Sequence, residues 1–176
     1  MLALFHPSLN LLGISTVHGN NSLDWTTKNA LRLLSALGRE DCPVYAGAAK
    51  PFCRQPVHAY DIHGTTGLDG TDLLPLTSNK AVDGSAILAM RDAILQQEES
   101  TMWLVATGAL TNVALLFSTF PELVERLKGL SIMGGAVGGN FTSVRRGASD
   151  EAGFGNTTDW AEFNVYVCCR KPRRAW

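Results

Sequence analysis

Apolar and polar positions alternate along the chain in short blocks, and those blocks predict repeating βα units around a mostly parallel sheet. Leu11 to Val17 (LLGISTV) reads as a buried strand that ends in the polar turn His18-Gly19-Asn20-Asn21. Ser22 is placed to cap a helix, with Asp24 in its first turn, where a carboxylate suits the positive end of the helix dipole. Leu23, Thr27, Ala30, Leu31, Leu34 and Leu37 fall on one side of that helix, and Gly38 stops it. Cys42 to Ala46 is a second short strand. A helix is expected from about Gly84 to Gln97, with Ala86, Ile87, Met90, Ala93 and Ile94 inward. Thr101 to Ala106 is the third strand, leaving through Thr107-Gly108-Ala109 for a helix around Asn112 to Ser118. Pro121 opens another helix that Gly129 ends, and Leu130 to Met133 is a fourth strand running into Gly134-Gly135.

Between these blocks lie two stretches without periodicity. Residues 47 to 80 are rich in Gly, Pro, Thr and Asp, and residues 134 to 158 are glycine-rich with Phe141 and Phe154 as the prominent apolar positions. Long irregular loops in a compact domain usually carry function. In an open parallel sheet, ligands gather beyond the carboxyl ends of the strands. The turns HGNN, ATGALTN and MGGAVGGN therefore belong on one rim.

Composition narrows the class. Of 176 residues, 45% are hydrophobic and 18% charged, which fits one globular domain with a core. Fifteen basic against 16 acidic residues argue against a nucleic-acid binder. Arg170, Lys171, Arg173 and Arg174 crowd the last seven positions, so the body without them is mildly acidic and residues 168–176 read as an unrelated basic tail. Cys42, Cys53, Cys168 and Cys169 have no metal-ligand or secreted-disulfide spacing, and free thiols in a reducing cytosol are expected. The apolar start lacks a basic leader region, and no apolar run approaches a membrane span, so a cytoplasmic location is expected.

Several residues carry candidate chemistry, each beside a plainer reading. The run SIMGGAVGGN could approach a phosphate through backbone N–H groups, pack tightly as turn glycine, or admit a sugar. It lacks the Lys-Ser/Thr of a P-loop. Asn156, Glu162 and Asn164 combine a carboxylate with two amides, which suits vicinal hydroxyls, although three such residues also make an ordinary surface loop. His63 lies in the long loop, where a histidine is usually solvated. Asn112 reads as a hydrogen-bonder at a helix start.

The ordered series LLGISTVHGN, HGTTGLDG, ATGALTNVALL, PELVERLKGLSIMGGA and AEFNVYV resembles the inosine–uridine-preferring nucleoside hydrolases from about Leu9 to Val167. The loop between MGGA and FGN is similar to the longer version of fungal uridine-nucleosidase-like members. The resemblance implies an α/β nucleoside hydrolase domain over residues 1–167 that cleaves the N-glycosidic bond of purine or pyrimidine ribonucleosides. It implies a Ca²⁺ cofactor, with the carbonyl of Thr107 as a metal ligand. It implies that Asn156, Glu162 and Asn164 hold the ribose hydroxyls, that Met133 lines the sugar site, that Asn20 faces the attacking water and that His63 approaches the base.

The family's Asp-rich run, D-x-D-P-G-x-D-D, and its later His-Asp pair have no counterpart here. In the family that run supplies calcium ligands and the general base, from a strand inside the sheet. Ca²⁺ asks for about six to eight oxygens. Little or no turnover by this polypeptide alone is therefore expected, with doubtful calcium binding. The expected partner is a ribonucleoside, with no nucleic acid and no membrane. A homo-oligomer and a regulatory fragment pairing with a complete family subunit stand as the alternatives.

Overall fold

The computed structural model describes residues 1–135 and 161–168. Ser22 caps α2 as its sequence position predicts: its side chain accepts from Trp25 N–H, and the helix runs Leu23–Ala36, following a short α1 at Leu2–Phe5. Gly38 takes a left-handed φ of 63° just past the helix end, a conformation glycine adopts without strain. The first strand, β1, is shorter than the apolar run suggests, Ile14–Thr16, and pairs in parallel with β2, Val44–Ala46. A single bridge from Tyr45 to Val82 lies on the outer edge of β2.

Alternation of side chains sends consecutive residues of these strands to opposite faces. On one face Ile14 and Val44 pack with Leu31 and Leu34 of α2, and the hydroxyls of Thr16 and Thr27 meet at 2.7 Å. On the other, the Ser15 hydroxyl donates to the Met90 sulfur, which belongs to α4, Ala86–Leu95. Helices therefore cover both faces of the β1–β2 pair. Cys42 completes the first core cluster, and burial pushes its thiol pKa up. Cys42 and Cys53 are free thiols.

The second half repeats the plan with β3, Trp103–Ala106, parallel to β4, Gly129–Ile132. Between them come α5, Thr111–Thr119, and α6, Leu123–Arg126. Ile94, Leu116 and Leu123 form the second core cluster, against which Leu104 and Phe117 pack. Gly129 opens β4 instead of ending the preceding helix. A Cβ there would collide with the indole of Trp103, so the ring occupies the space that the missing side chain leaves. The long loop holds α3, Tyr60–His63, and α7 spans Phe163–Cys168, reaching the first residue of the expected tail.

Among the described residues, the mostly parallel sheet expected from the sequence is present as two separate two-stranded parallel sheets, β1–β2 and β3–β4. α4 packs on the first pair and shares the core of the second, so it is a common cover for both. No helix among the described residues is long and apolar enough to cross a membrane.

Candidate functional site

The three turns expected on one rim do meet. His18, after β1, is fully buried and its Nε2 lies 2.9 Å from the Thr111 hydroxyl at the start of α5. Gly19 sits against Ala109, because a Cβ on it would stand 3.8 Å from the Ala109 Cβ. At the end of β4, Met133 N–H donates to Ala106 O at 2.9 Å. Asn164, in α7, then joins the ends of β3 and β4: its Nδ2 donates to Thr107 O at 3.2 Å and to Met133 O at 2.9 Å.

Glu162 stands beside this clip. A Cβ on Gly134 would be 3.6 Å from the Glu162 Cβ and 3.8 Å from the Asn164 Cβ, so the bare backbone of Gly134 (φ 107°) is what lets α7 approach. The structure thus brings together Thr107, Met133, Glu162 and Asn164 on one corner of the rim. Asn156 lies outside the described residues, as do residues 136–140 of the glycine run. Asn20 is exposed on the β1 turn, held by its own carbonyl, which accepts from Ala59 N–H at 3.1 Å. His63 is half-buried at the last position of α3, where its N–H donates to Ala59 O at 3.0 Å.

Buried amides and a bare glycine hold the rim in place, and of these the sequence singled out only Asn112. Asn112, expected to bond near a helix start, does more: its Nδ2 donates to Thr16 O and its Oδ1 accepts from Ala48 N–H, both at 2.9 Å. One buried amide therefore fastens α5 to the ends of β1 and β2. Gly47 is required beside it, since a Cβ there would strike the Asn112 amide and lie 2.5 Å from Thr16 O. Asn21, buried next to the exposed Asn20, donates to Thr65 O at 2.9 Å, and Asn29 donates to Thr66 O at 2.8 Å. In the same loop Asp69 accepts from the Thr65 and Thr66 N–H groups and both hydroxyls, which holds its pKa down to about 2, the Thr66 hydroxyl contributing most.

Two further histidines belong to the rim. His58 Nδ1 lies 2.9 Å from Gly19 O. Burial pushes the pKa of His18 down and the nearby His58 adds to the shift, while His18 Nδ1 is buried with no partner among the described residues. A neutral imidazole is the form this setting favours. Arg54, from the long loop, stacks over the Tyr166 ring of α7 at 4.2 Å, tying that loop to the helix that carries Asn164.

The family model described as inosine-uridine preferring nucleoside hydrolase matches residues 1–167. The uridine nucleosidase of Saccharomyces cerevisiae is 43% identical over 169 residues, covering 95% of this chain and 46% of the yeast protein. The pyrimidine-specific ribonucleoside hydrolase RihA of Shewanella sp. strain MR-7 is 41% identical, covering 95% of this chain and 47% of its own. Among solved structures, the purine-preferring ribonucleoside hydrolase from Gardnerella vaginalis superposes with a TM-score of 0.77 at 25% identity, covering 92% of this chain and 48% of that one. A plant nucleoside hydrolase superposes with a TM-score of 0.78 at 29% identity, covering 95% and 48%. The chain spans about half the length of the curated relatives it matches.

Proposed function

Because the chain belongs to the inosine-uridine preferring nucleoside hydrolase family and has the nucleoside hydrolase fold, we propose that it is the sugar-holding half of a ribonucleoside N-glycosidase. The observation that carries this reading is the clip at the rim, where Asn164 gathers the Thr107 and Met133 carbonyls beside Glu162. The matched relatives are named for pyrimidine nucleosides, uridine and purines. The substrate class is accordingly the ribonucleoside, recognised by its pentose.

In that reaction water adds to the anomeric carbon and the bond to the base nitrogen breaks. Its electron pair stays on the base, which takes up a proton. The transition state resembles an oxocarbenium ion, so a carboxylate and amides placed on the sugar hydroxyls stabilise it more than they stabilise the ground state. Glu162, Asn164 and Asn156 would hold those hydroxyls, Met133 would line the sugar, Asn20 would face the incoming water and His63 would approach the base. His18 and Asn112 act one step back, by fixing the turn that carries Asn20 against α5.

Calcium, the cofactor implied by the family resemblance, meets a poor set of donors among the described residues. The described residues offer the Thr107 carbonyl, which already accepts from Asn164, and no group of three or more His, Cys, Asp or Glu that could hold a metal ion. This donor set does not fit a Ca²⁺ cage, which draws on several carboxylates, and no step is routed through the ion. The reading is therefore a polypeptide that binds the sugar and turns over little by itself.

Titration of the purified chain with uridine and with ribose, followed by calorimetry and amide chemical shifts, tests this. Saturable binding should weaken by about tenfold or more, a loss of about 1.4 kcal/mol or greater, in Glu162→Gln and Asn164→Ala. Circular dichroism should be unchanged in both. Absence of uridine and ribose binding overturns the sugar-holding role. Ribose release from uridine or inosine at the rate of a complete relative overturns the low turnover.

A further inference from the structure

The long loop that follows β2 is fastened to two different elements of the rim. At the β1 turn, His58 Nδ1 lies 2.9 Å from Gly19 O, and Ala59 N–H donates to Asn20 O at 3.1 Å. Those bonds carry α3 with them, since His63 N–H donates to Ala59 O at 3.0 Å. At α7 the contact is of another kind. The Arg54 guanidinium lies 4.2 Å from the centre of the Tyr166 ring, and its Nε is buried with no hydrogen-bond partner among the described residues. None of the ion pairs among those residues includes Arg54. A partly buried guanidinium without a carboxylate is thus held by the face of a ring, and desolvation strengthens such a cation–π contact.

α7 needs a hold of this sort. With six residues, Phe163–Cys168, it is too short to stand on helical hydrogen bonds alone, so contacts with its surroundings set its position. Asn164 fixes its start to Thr107 and Met133, and Val167 is buried at its far end. Tyr166 lies between these. Its N–H donates to Glu162 O at 2.8 Å, so the ring that receives Arg54 stands one helical turn on from Glu162.

We propose that Arg54 is a positioning residue that locks the loop carrying His63 to the helix carrying Asn164, beside Glu162. Resting on the proposed function, this lock holds the base end of the site at a fixed spacing from its sugar end. A ribonucleoside reaches both ends and gains from the lock, because neither element has to be ordered anew when it binds. Free ribose reaches only the α7 corner and gains little. Arg54 thereby sets a preference for the intact nucleoside over the free sugar, acting through Tyr166 and not on the ligand.

The test has two arms, both on the 176-residue chain. Amide exchange without ligand is read at Tyr166 in α7 and at Ala59 and His63 in the loop. Arg54→Met removes the cation and keeps an unbranched apolar stem; it should speed exchange at all three by about threefold or more, as should Tyr166→Leu. Tyr166→Phe keeps the ring face and should stay within about twofold of the parent. Arg54→Lys supplies a cation without the flat stacking surface and should fall between Arg54→Met and the parent. The double variant Arg54→Met/Tyr166→Leu should be no faster than the faster single variant. The second arm is calorimetry with uridine and with ribose. Arg54→Met should weaken uridine by about threefold or more and ribose by less than about twofold, with Arg54→Lys restoring part of the uridine affinity. Unchanged exchange, or exchange that quickens in one element only, overturns the lock, as does full additivity in the double variant. Equal weakening of uridine and ribose makes Arg54 a support of α7 alone and overturns the preference. Should the parent chain bind neither ligand, the proposed function falls, and the exchange rates by themselves decide the lock.

Discussion

The two parallel pairs of this fold share a plan and differ in how they are covered. β1–β2 has α2 on one face and α4 on the other, and Thr16 and Val44 are buried between them. β3–β4 packs Leu104 on the α4–α5–α6 cluster and leaves Trp103 and Val105 open on its opposite face, while Leu130 and Ile132, in register with Leu104 and Ala106, are exposed on the Leu104 side. In a doubly wound sheet both faces are normally helix-covered. Among the described residues the first pair is therefore covered on both faces and the second only in part, and on one face. The candidate site sits where the two meet, so its stability depends on both, while Thr107, Met133, Glu162 and Asn164 gather at the less covered one.

The sharpest way to break that comparison is within the second pair. Leu116 is wholly buried in the cluster and Val105 is 62% exposed on the open face. Leu116→Ala should cost about 2–5 kcal/mol, the range for cavity-forming truncation of a buried leucine. Val105→Ala should fall within about 0.5 kcal/mol, as surface substitutions do. Urea unfolding curves of the two variants measure both. Equal losses would mean that the β3 face is covered in solution after all.

A second, smaller effect tests the joint between the pairs. Asn112→Ala strands the Ala48 N–H, at about 1–3 kcal/mol for a group left unpaired, while the Thr16 carbonyl keeps its bond from Gly47 N–H. Gly47→Ala forces a methyl into the same amide and should cost about 1–3 kcal/mol. In the double variant the clash with Asn112 is removed and only the one with Thr16 O remains, so the two losses should add to less than their sum. Strict additivity in a double-mutant cycle would show that the two positions do not share one contact.

The same contrast explains what could be read from the sequence. α2 was legible because its signals are local: Ser22, a one-sided apolar stripe and Gly38. The meeting of three strand-end turns followed from the parallel plan. The division into two sheets depends on pairing between distant segments, which no local pattern encodes. Asn112 and Gly47 form a joint only because residues 47 and 112 are brought together, and an Asn at a helix start or a Gly in a loop looks ordinary alone. Asn20 drew attention in its turn, whereas its buried neighbour Asn21 does the tethering. Gly129 looks locally like a helix stop, yet its bare Cα seats the Trp103 ring one strand away.

The smallest of the three effects concerns protonation at that joint. His18 is buried with Nε2 on Thr111 and Nδ1 without a partner among the described residues, and its pKa is pushed below the ordinary 6.5 by burial and by His58. A second ring proton would sit at a buried nitrogen with no acceptor. The unfolded chain therefore binds that proton more readily than the folded one, and stability rises with pH wherever this difference is populated. The contribution is intact above about pH 6.5, the unfolded value, and is lost as pH falls below it toward the depressed folded pKa. Thermal melting followed from pH 7.5 down to 5.5 should show a falling Tm. In His18→Gln, which retains a group able to bond the Thr111 hydroxyl and does not titrate there, the slope should flatten. A slope unchanged by that substitution would move the acid sensitivity away from the joint and onto groups outside it.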